Sequence, residues 1–130
     1  MKQIAFLDTK EIINLHDMLI KKYGGLPGIH DKKLLESAIA QPQITIFGKY
    51  ACKNIFEMAA AYCYHITKNH PFLDGNKRIA LLTSLTFLEK NNVGIKSDAN
   101  FYTFMLDVAS SKISKEEIAE FFKEQALKLR

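Results

Sequence analysis

In the first part of the chain, apolar residues return every three to four positions. Ile12, Leu15 and Leu19 share one face of a helix with a 3.6-residue period. Asp8-Thr9-Lys10-Glu11 ahead of them has the form of a capping box, and Gly24-Gly25 behind them supplies a stop. A helix is therefore predicted over about 9–22. A second stripe, Leu34, Leu35, Ala38 and Ile39, follows Asp31 as its cap. It ends ahead of Pro42, because proline disfavours helical geometry in the residue before it. Residues 43–50, QITIFGKY, read as a short extended segment or flap.

Two runs then break the striped pattern. IFEMAAAYCYHITK, within 54–68, and NKRIALLTSLTFLEK, over 76–90, are apolar around most of the helix, which predicts two central helices. Phe101, Phe104, Met105 and Val108 make a stripe after Ser97-Asp98. Ser114-Lys115-Glu116-Glu117 is a capping box opening a last helix with Ile118, Phe121 and Phe122. The pattern as a whole predicts an all-α fold, a compact bundle of six helices with a short flap, residues 1–130 forming a single domain. Strand signals are confined to Ile4–Phe6, Ile44–Phe47 and Lys112-Ile113, and no internal repeat is present.

Composition agrees: 48% hydrophobic and 25% charged residues in 130 are those of one globular core, not of a disordered tail, a collagen or a coiled-coil rod. The net charge of +4 is spread evenly, with eight cationic against six anionic residues in 1–65 and ten against eight in 66–130. That spread reads as a solvated surface, and no direct nucleic-acid binding is expected from it. Arginine occurs only at Arg78 and Arg130, so Arg78 needs an explanation in its neighbourhood. Cys52 and Cys63 fit neither a CxxC pair nor a zinc spacing, and read as free thiols in a reducing cytosol. The most apolar stretches, Met58–Ile66 and Ile79–Leu88, are shorter than the ~18 residues of a membrane span, and no signal-peptide core is seen at the N-terminus. The expectation is a cytoplasmic protein without a membrane partner.

Polar and charged residues crowd the core in one place, Asn69-His70-Pro71-Phe72-Leu73-Asp74-Gly75-Asn76-Lys77-Arg78, between the two central helices. A helix starting near Gly75-Asn76 presents free amides to an anion, reinforced by its dipole and by Lys77 and Arg78. Asp74, just ahead of them, could hold a Mg²⁺ that bridges phosphate oxygens. His70, across the loop, could take a proton from an incoming hydroxyl. Phe72 would anchor the loop by burying its ring. Each residue also has a plainer reading: Asp74 as an N-cap bonded to the amides of Asn76 or Lys77, His70 as a loop histidine, Lys77 and Arg78 as solvated charges. The last fits poorly, because cations at a helix N-terminus oppose the dipole. His65 is expected to be a hydrogen-bonded core residue, His16 and His30 surface or cap positions, and no zinc site is expected. Lys49 and Tyr50 on the flap could help seat a substrate segment.

The run from His70 to Arg78 fills every fixed position of H-x-F-x-[DE/N]-[GA]-N-[GK]-R, the signature of the Fic/Doc family, which this chain resembles. Tyr23-Gly24-Gly25-Leu26-Pro27-Gly28, Leu34-Leu35-Glu36-Ser37-Ala38 and the ending ISKEEIAEFFK resemble its death-on-curing (Doc) branch. The resemblance implies a toxin of a toxin-antitoxin pair that uses ATP and Mg²⁺ to modify a protein hydroxyl. His70 would be the catalytic base, Asp74 the metal ligand, and Gly75, Asn76, Lys77 and Arg78 the phosphate binders. Lys77, where AMP-transferring Fic proteins have glycine, implies the Doc arrangement, an inverted nucleotide whose γ-phosphate goes to a threonine of elongation factor Tu and stops translation. Leu81 stands where AMP-transferring members usually carry a second arginine, whereas Gly75 is the Fic-like choice. The inhibitory motif [ST]-x-x-x-E-[GN] is absent, since none of the eight glutamates has Ser or Thr four residues before it, which implies a separate antitoxin protein. The rival readings are AMP transfer in the same pocket, a metal-free ribonuclease using His70, Lys77 and Arg78, and a binding module without turnover.

Overall fold

The computed structural model describes residues 3–127, so Arg130 lies outside the described residues. Six helices follow one another: α1 (Thr9–Tyr23), α2 (Lys32–Ala40), α3 (Ile55–Asn69), α4 (Asn76–Lys90), α5 (Phe101–Ala109) and α6 (Lys115–Gln125). A 3₁₀ turn at Gln41–Gln43 leads from α2 into a hairpin of β1 (Thr45–Ile46) and β2 (Lys49–Tyr50), paired antiparallel with Thr45 opposite Tyr50 and Ile46 opposite Lys49.

The helix starts obey local chemistry. The Asp8 side chain accepts from the Glu11 amide while Glu11 reaches back to Asp8, and Ser114 and Glu117 do the same at α6. Asp31 and Asn54 cap α2 and α3 with their side-chain oxygens. The cap of α5 is Asn100, whose side chain accepts from the Thr103 amide. Helix α3 lies at the centre, packed on α2, α4 and α6. Its Met58, Ala59, Ala60, Ala61, Tyr62, Cys63 and Ile66 are buried, and the three alanines let neighbouring backbones approach. Tyr62 is fully buried, but its hydroxyl accepts from the Leu7 amide at 3.0 Å and donates to the Leu7 carbonyl at 3.3 Å. Burial pushes its phenol up to about 12.

Two expected strands are replaced by other pairings. Ile4–Phe6 forms none, because the Asn91 side chain takes both backbone groups of Ala5, at 3.0 and 2.9 Å, as a neighbouring strand would. Lys112-Ile113 belongs to the turn after α5, where Ser111 has φ 62°. Isolated bridges instead join Ile29 to Phe72 and Ile95 to Ala126. In α2, Leu35, Ala38 and Ile39 are buried as expected, whereas Leu34 stays exposed.

His65 has a partner but is only half-buried: its Nε2 lies 2.9 Å from Lys115 Nζ. Burial and the adjacent ammonium push its pKa down from 6.5 to about 4, so the neutral ring accepts the lysine's proton donor. The unfolded chain protonates His65 near 6.5 and the folded one only near 4, so protonation favours unfolding. Stability should fall as pH drops from about 6.5 to 4, by about 1–2 kcal/mol once solvent screening of a half-exposed group is allowed for. Denaturant midpoints of the wild type and His65→Phe across that range would read this. An equal slope in both would remove His65 as the cause.

Candidate functional site

The loop from His70 to Gly75 is held by backbone. The Leu73 amide donates to the Gly28 carbonyl at 3.1 Å, and the His30 and Asp31 amides donate to the Pro71 carbonyl at 2.7 and 3.0 Å. The Asn69 side chain donates to the Leu34 carbonyl at 2.8 Å. The segment before α2 thus acts as a neighbouring strand for the loop. His70 is the C-cap of α3, in the left-handed region at φ 52°, ψ 53°, with its amide bonded to the Ile66 carbonyl. That conformation costs about 1 kcal/mol in a non-glycine residue and turns the imidazole out of the helix into an exposed position.

Phe72 is 1% exposed. Its amide donates to Asn76 Oδ1 and its carbonyl accepts from Asn76 Nδ2, both at 2.9 Å. The Asn76 side chain, expected at a phosphate, is therefore buried and turned back to clamp the loop. What it leaves at the helix end is its backbone N–H.

Gly75 caps α4 at φ 73°, ψ 22°, with no side-chain hydrogen bond to the helix. Among the described residues the amides of Asn76, Lys77 and Arg78 have no partner. The N-cap role open to Asp74 is not the one it takes. Its Oδ1 accepts from the Gly75 amide at 2.8 Å and its Oδ2 from the Leu26 amide at 3.1 Å. Those two bonds, Leu26 first, hold the exposed carboxyl below the usual carboxylate range, with His16 and Arg78 adding to the effect. Asp74 is thus an ionised, pre-oriented carboxylate beside uncapped amides. Gly25 is part of this arrangement: at φ 118°, a Cβ there would sit 2.7 Å from Asp74 Oδ2.

Lys77 and Arg78 are exposed on the first turn of α4. The salt bridge found among the described residues is Lys90–Glu11, elsewhere, so neither cation is ion-paired at the positive end of the helix, although the Asp74 carboxylate is near enough to interact with Arg78 through space. The Arg78 guanidinium lies 4.7 Å from the centre of the Tyr23 ring. His70, Asp74, Gly75, Asn76, Lys77 and Arg78 all line one cavity of about 760 Å³, walled on its other side by Phe101, Met105 and other apolar residues of α5. Thr67, one turn before His70, also lines it, buried and with its hydroxyl unpaired. No group of three or more His, Cys, Asp or Glu among the described residues forms a protein-only metal cage.

Lys49 and Tyr50 do not line this cavity; Tyr50 packs edge-on to Phe6. His30 is exposed as expected. His16 is not: it is 1% exposed, its ring stacked on Phe72 at 3.8 Å and 11°, its Nε2 2.8 Å from the Asp74 carbonyl. The signal was its place four residues after Ile12, on the face of α1 that packs inward. Cys52 and Cys63 are free, Cys63 buried and its thiol pushed up to about 12 by desolvation. Among the described residues no helix is long and apolar enough to cross a membrane.

The family model described as the Fic/DOC family matches residues 6–88. Protein kinase doc of Escherichia phage P1 is 32% identical over 114 residues, covering 88% of this chain and 90% of that protein. Toxin Doc of Mycolicibacterium smegmatis is 33% identical over 93 residues, covering 72% of this chain and 69% of that protein.

Proposed function

Since the chain belongs to the Fic/DOC family and is similar to Doc toxins, we propose that it is a Doc-like toxin that transfers the γ-phosphate of ATP to a protein hydroxyl. The acceptor in this reading is elongation factor Tu, so that translation stops, and a cognate antitoxin protein restrains the toxin. One observation carries it: the uncapped amides of Asn76, Lys77 and Arg78, with two unpaired cations, face a cavity that also holds an exposed imidazole and an ionised carboxylate. The phage relative's name, a protein kinase, supports the phosphate over the AMP reading.

Phosphoryl transfer depends on positioning and charge neutralisation more than on covalent chemistry. The α4 amides, Lys77 and Arg78 hold the phosphates and offset their charge. His70 accepts the proton of the acceptor hydroxyl as its oxygen bonds to the γ-phosphorus, while the bond from that phosphorus to the oxygen shared with the β-phosphate breaks and ADP leaves. Asp74 suits a Mg²⁺ shared with the nucleotide: its two oxygens accept only one N–H each, leaving lone pairs on a carboxylate that stays charged. Mg²⁺ typically takes one or two carboxylates with phosphate and water, and when bound it draws charge from the phosphate oxygens. The metal-free ribonuclease reading leaves this prepared carboxylate without a role.

Purified protein, Mg²⁺ and elongation factor Tu should be incubated with ATP labelled at the γ position in one tube and the α position in another. Label on the factor from γ only is the expected result. Label from α would replace the phosphate reading with AMP transfer in the same pocket, and label from neither would overturn the proposed acceptor.

A further inference from the structure

His16 touches the loop at two points without touching the cavity. Its ring lies flat on Phe72 and its Nε2 meets the Asp74 carbonyl, and the same nitrogen is 3.7 Å from where a Cβ on Gly75 would be. It is 1% exposed and absent from the cavity lining. A carbonyl oxygen only accepts, so Nε2 carries the proton and donates. The carbonyl it binds belongs to the Asp74–Gly75 peptide, whose N–H forms the bond to Asp74 Oδ1.

A planar trans peptide points its C=O and N–H in opposite senses. With the carbonyl drawn inward to His16, the N–H side faces the carboxylate and the cavity. Glycine makes this orientation insecure, because Gly75 at φ 73° can also adopt the flipped arrangement at little steric cost. The flip would set a carbonyl oxygen at the mouth of an anion site and release Oδ1 of Asp74. A buried donor on the inner side opposes it, and the stack on Phe72 fixes the plane in which that donor lies.

We infer that His16 is a positioning residue, which holds the Asp74–Gly75 peptide with its N–H side toward the cavity and so keeps the carboxylate and the α4 amides set for an anionic ligand. The inference rests on the proposed reading of that helix end as a phosphate site.

The test compares His16→Phe, which keeps a ring to stack on Phe72 but lacks the donor, with His16→Gln, which has an N–H donor but no ring. Three quantities are read: ATP affinity by calorimetry with Mg²⁺ present, the transfer rate, and the position of the Gly75 amide resonance in the ligand-free ¹H–¹⁵N spectrum. In a folded His16→Phe protein, affinity or rate should fall about 10–100-fold, the scale of a small misplacement in a site. The Gly75 resonance should move, and His16→Gln should recover most of the loss. If folded His16→Phe keeps both affinity and rate, or keeps the Gly75 resonance, or if folded His16→Gln is no better than His16→Phe, the inference is overturned. Should His16→Phe not fold, His16→Met takes its place, matching glutamine in length without a donor. Failure of the phosphate reading is visible separately, in the wild type: α-label or no label leaves ATP affinity to decide on His16. A wild type that binds no ATP leaves the Gly75 resonance to decide.

Discussion

Replacing His70 should remove transfer while leaving the nucleotide bound. General bases contribute typically ~10² to 10⁴ in rate, so His70→Ala should lower the transfer rate by about that factor. In the proposed reading the first turn of α4 holds the phosphates and His70 does not, so ATP affinity should stay within a few-fold of wild type. The backbone complicates an alanine here. His70 sits at φ 52°, ψ 53°, a conformation that His, Asn and Asp tolerate better than most residues. Alanine would therefore strain the loop by up to about 1–2 kcal/mol as well as delete the base. His70→Asn separates the effects, since it suits the left-handed region and cannot serve as a base near neutral pH. Equal losses in the two variants would assign the rate to the imidazole. Loss in alanine alone would assign it to the backbone, and transfer within tenfold of wild type in both would remove His70 from proton transfer.

The difference between what was legible in the sequence and what was not follows the range of each interaction. The caps at Asp8, Asp31 and Ser114 bond atoms two or three residues away, so the sequence carries them whole. The site loop is contiguous from His70 to Arg78, and its charges, its glycine and its position before a helix could be read together. The partners that give those residues their geometry come from far along the chain. Leu26 reaches Asp74 across 48 positions and His16 reaches it across 58. Neither follows from spacing, because both depend on how α1 and the segment after it pack against the start of α4. Asn76 shows the same limit at short range. Its type suits a phosphate ligand or a loop clamp equally well, and only the burial of Phe72 four residues before it decides between them.

Phe72 should be the residue whose loss is felt by fold and site together. Its ring is 1% exposed, stacked on His16, in a core that includes Tyr62 and Ile66. Removing a buried phenylalanine ring typically costs 3–5 kcal/mol, the spread depending on how far the neighbours collapse. Collapse is limited here because the backbone on both sides of the ring is fastened, by the Asn76 clamp and by the bridge to Ile29. Phe72→Ala should therefore fall in the upper part of that range, a large fraction of the 5–15 kcal/mol that holds a typical domain together. In a chain of 130 residues the melting temperature should drop by about 10–20 °C. Transfer should also fall at temperatures where the variant is still folded, because the cavity frees the His16 ring that bonds the Asp74 carbonyl. Phe72→Leu, which refills most of the space, should recover more stability than activity, since it restores volume but not a flat face for the stack. A shift in denaturant midpoint worth under about 1 kcal/mol for Phe72→Ala, with unchanged slope, would mean that the Asn76 clamp alone sets the loop and that the ring is not its anchor.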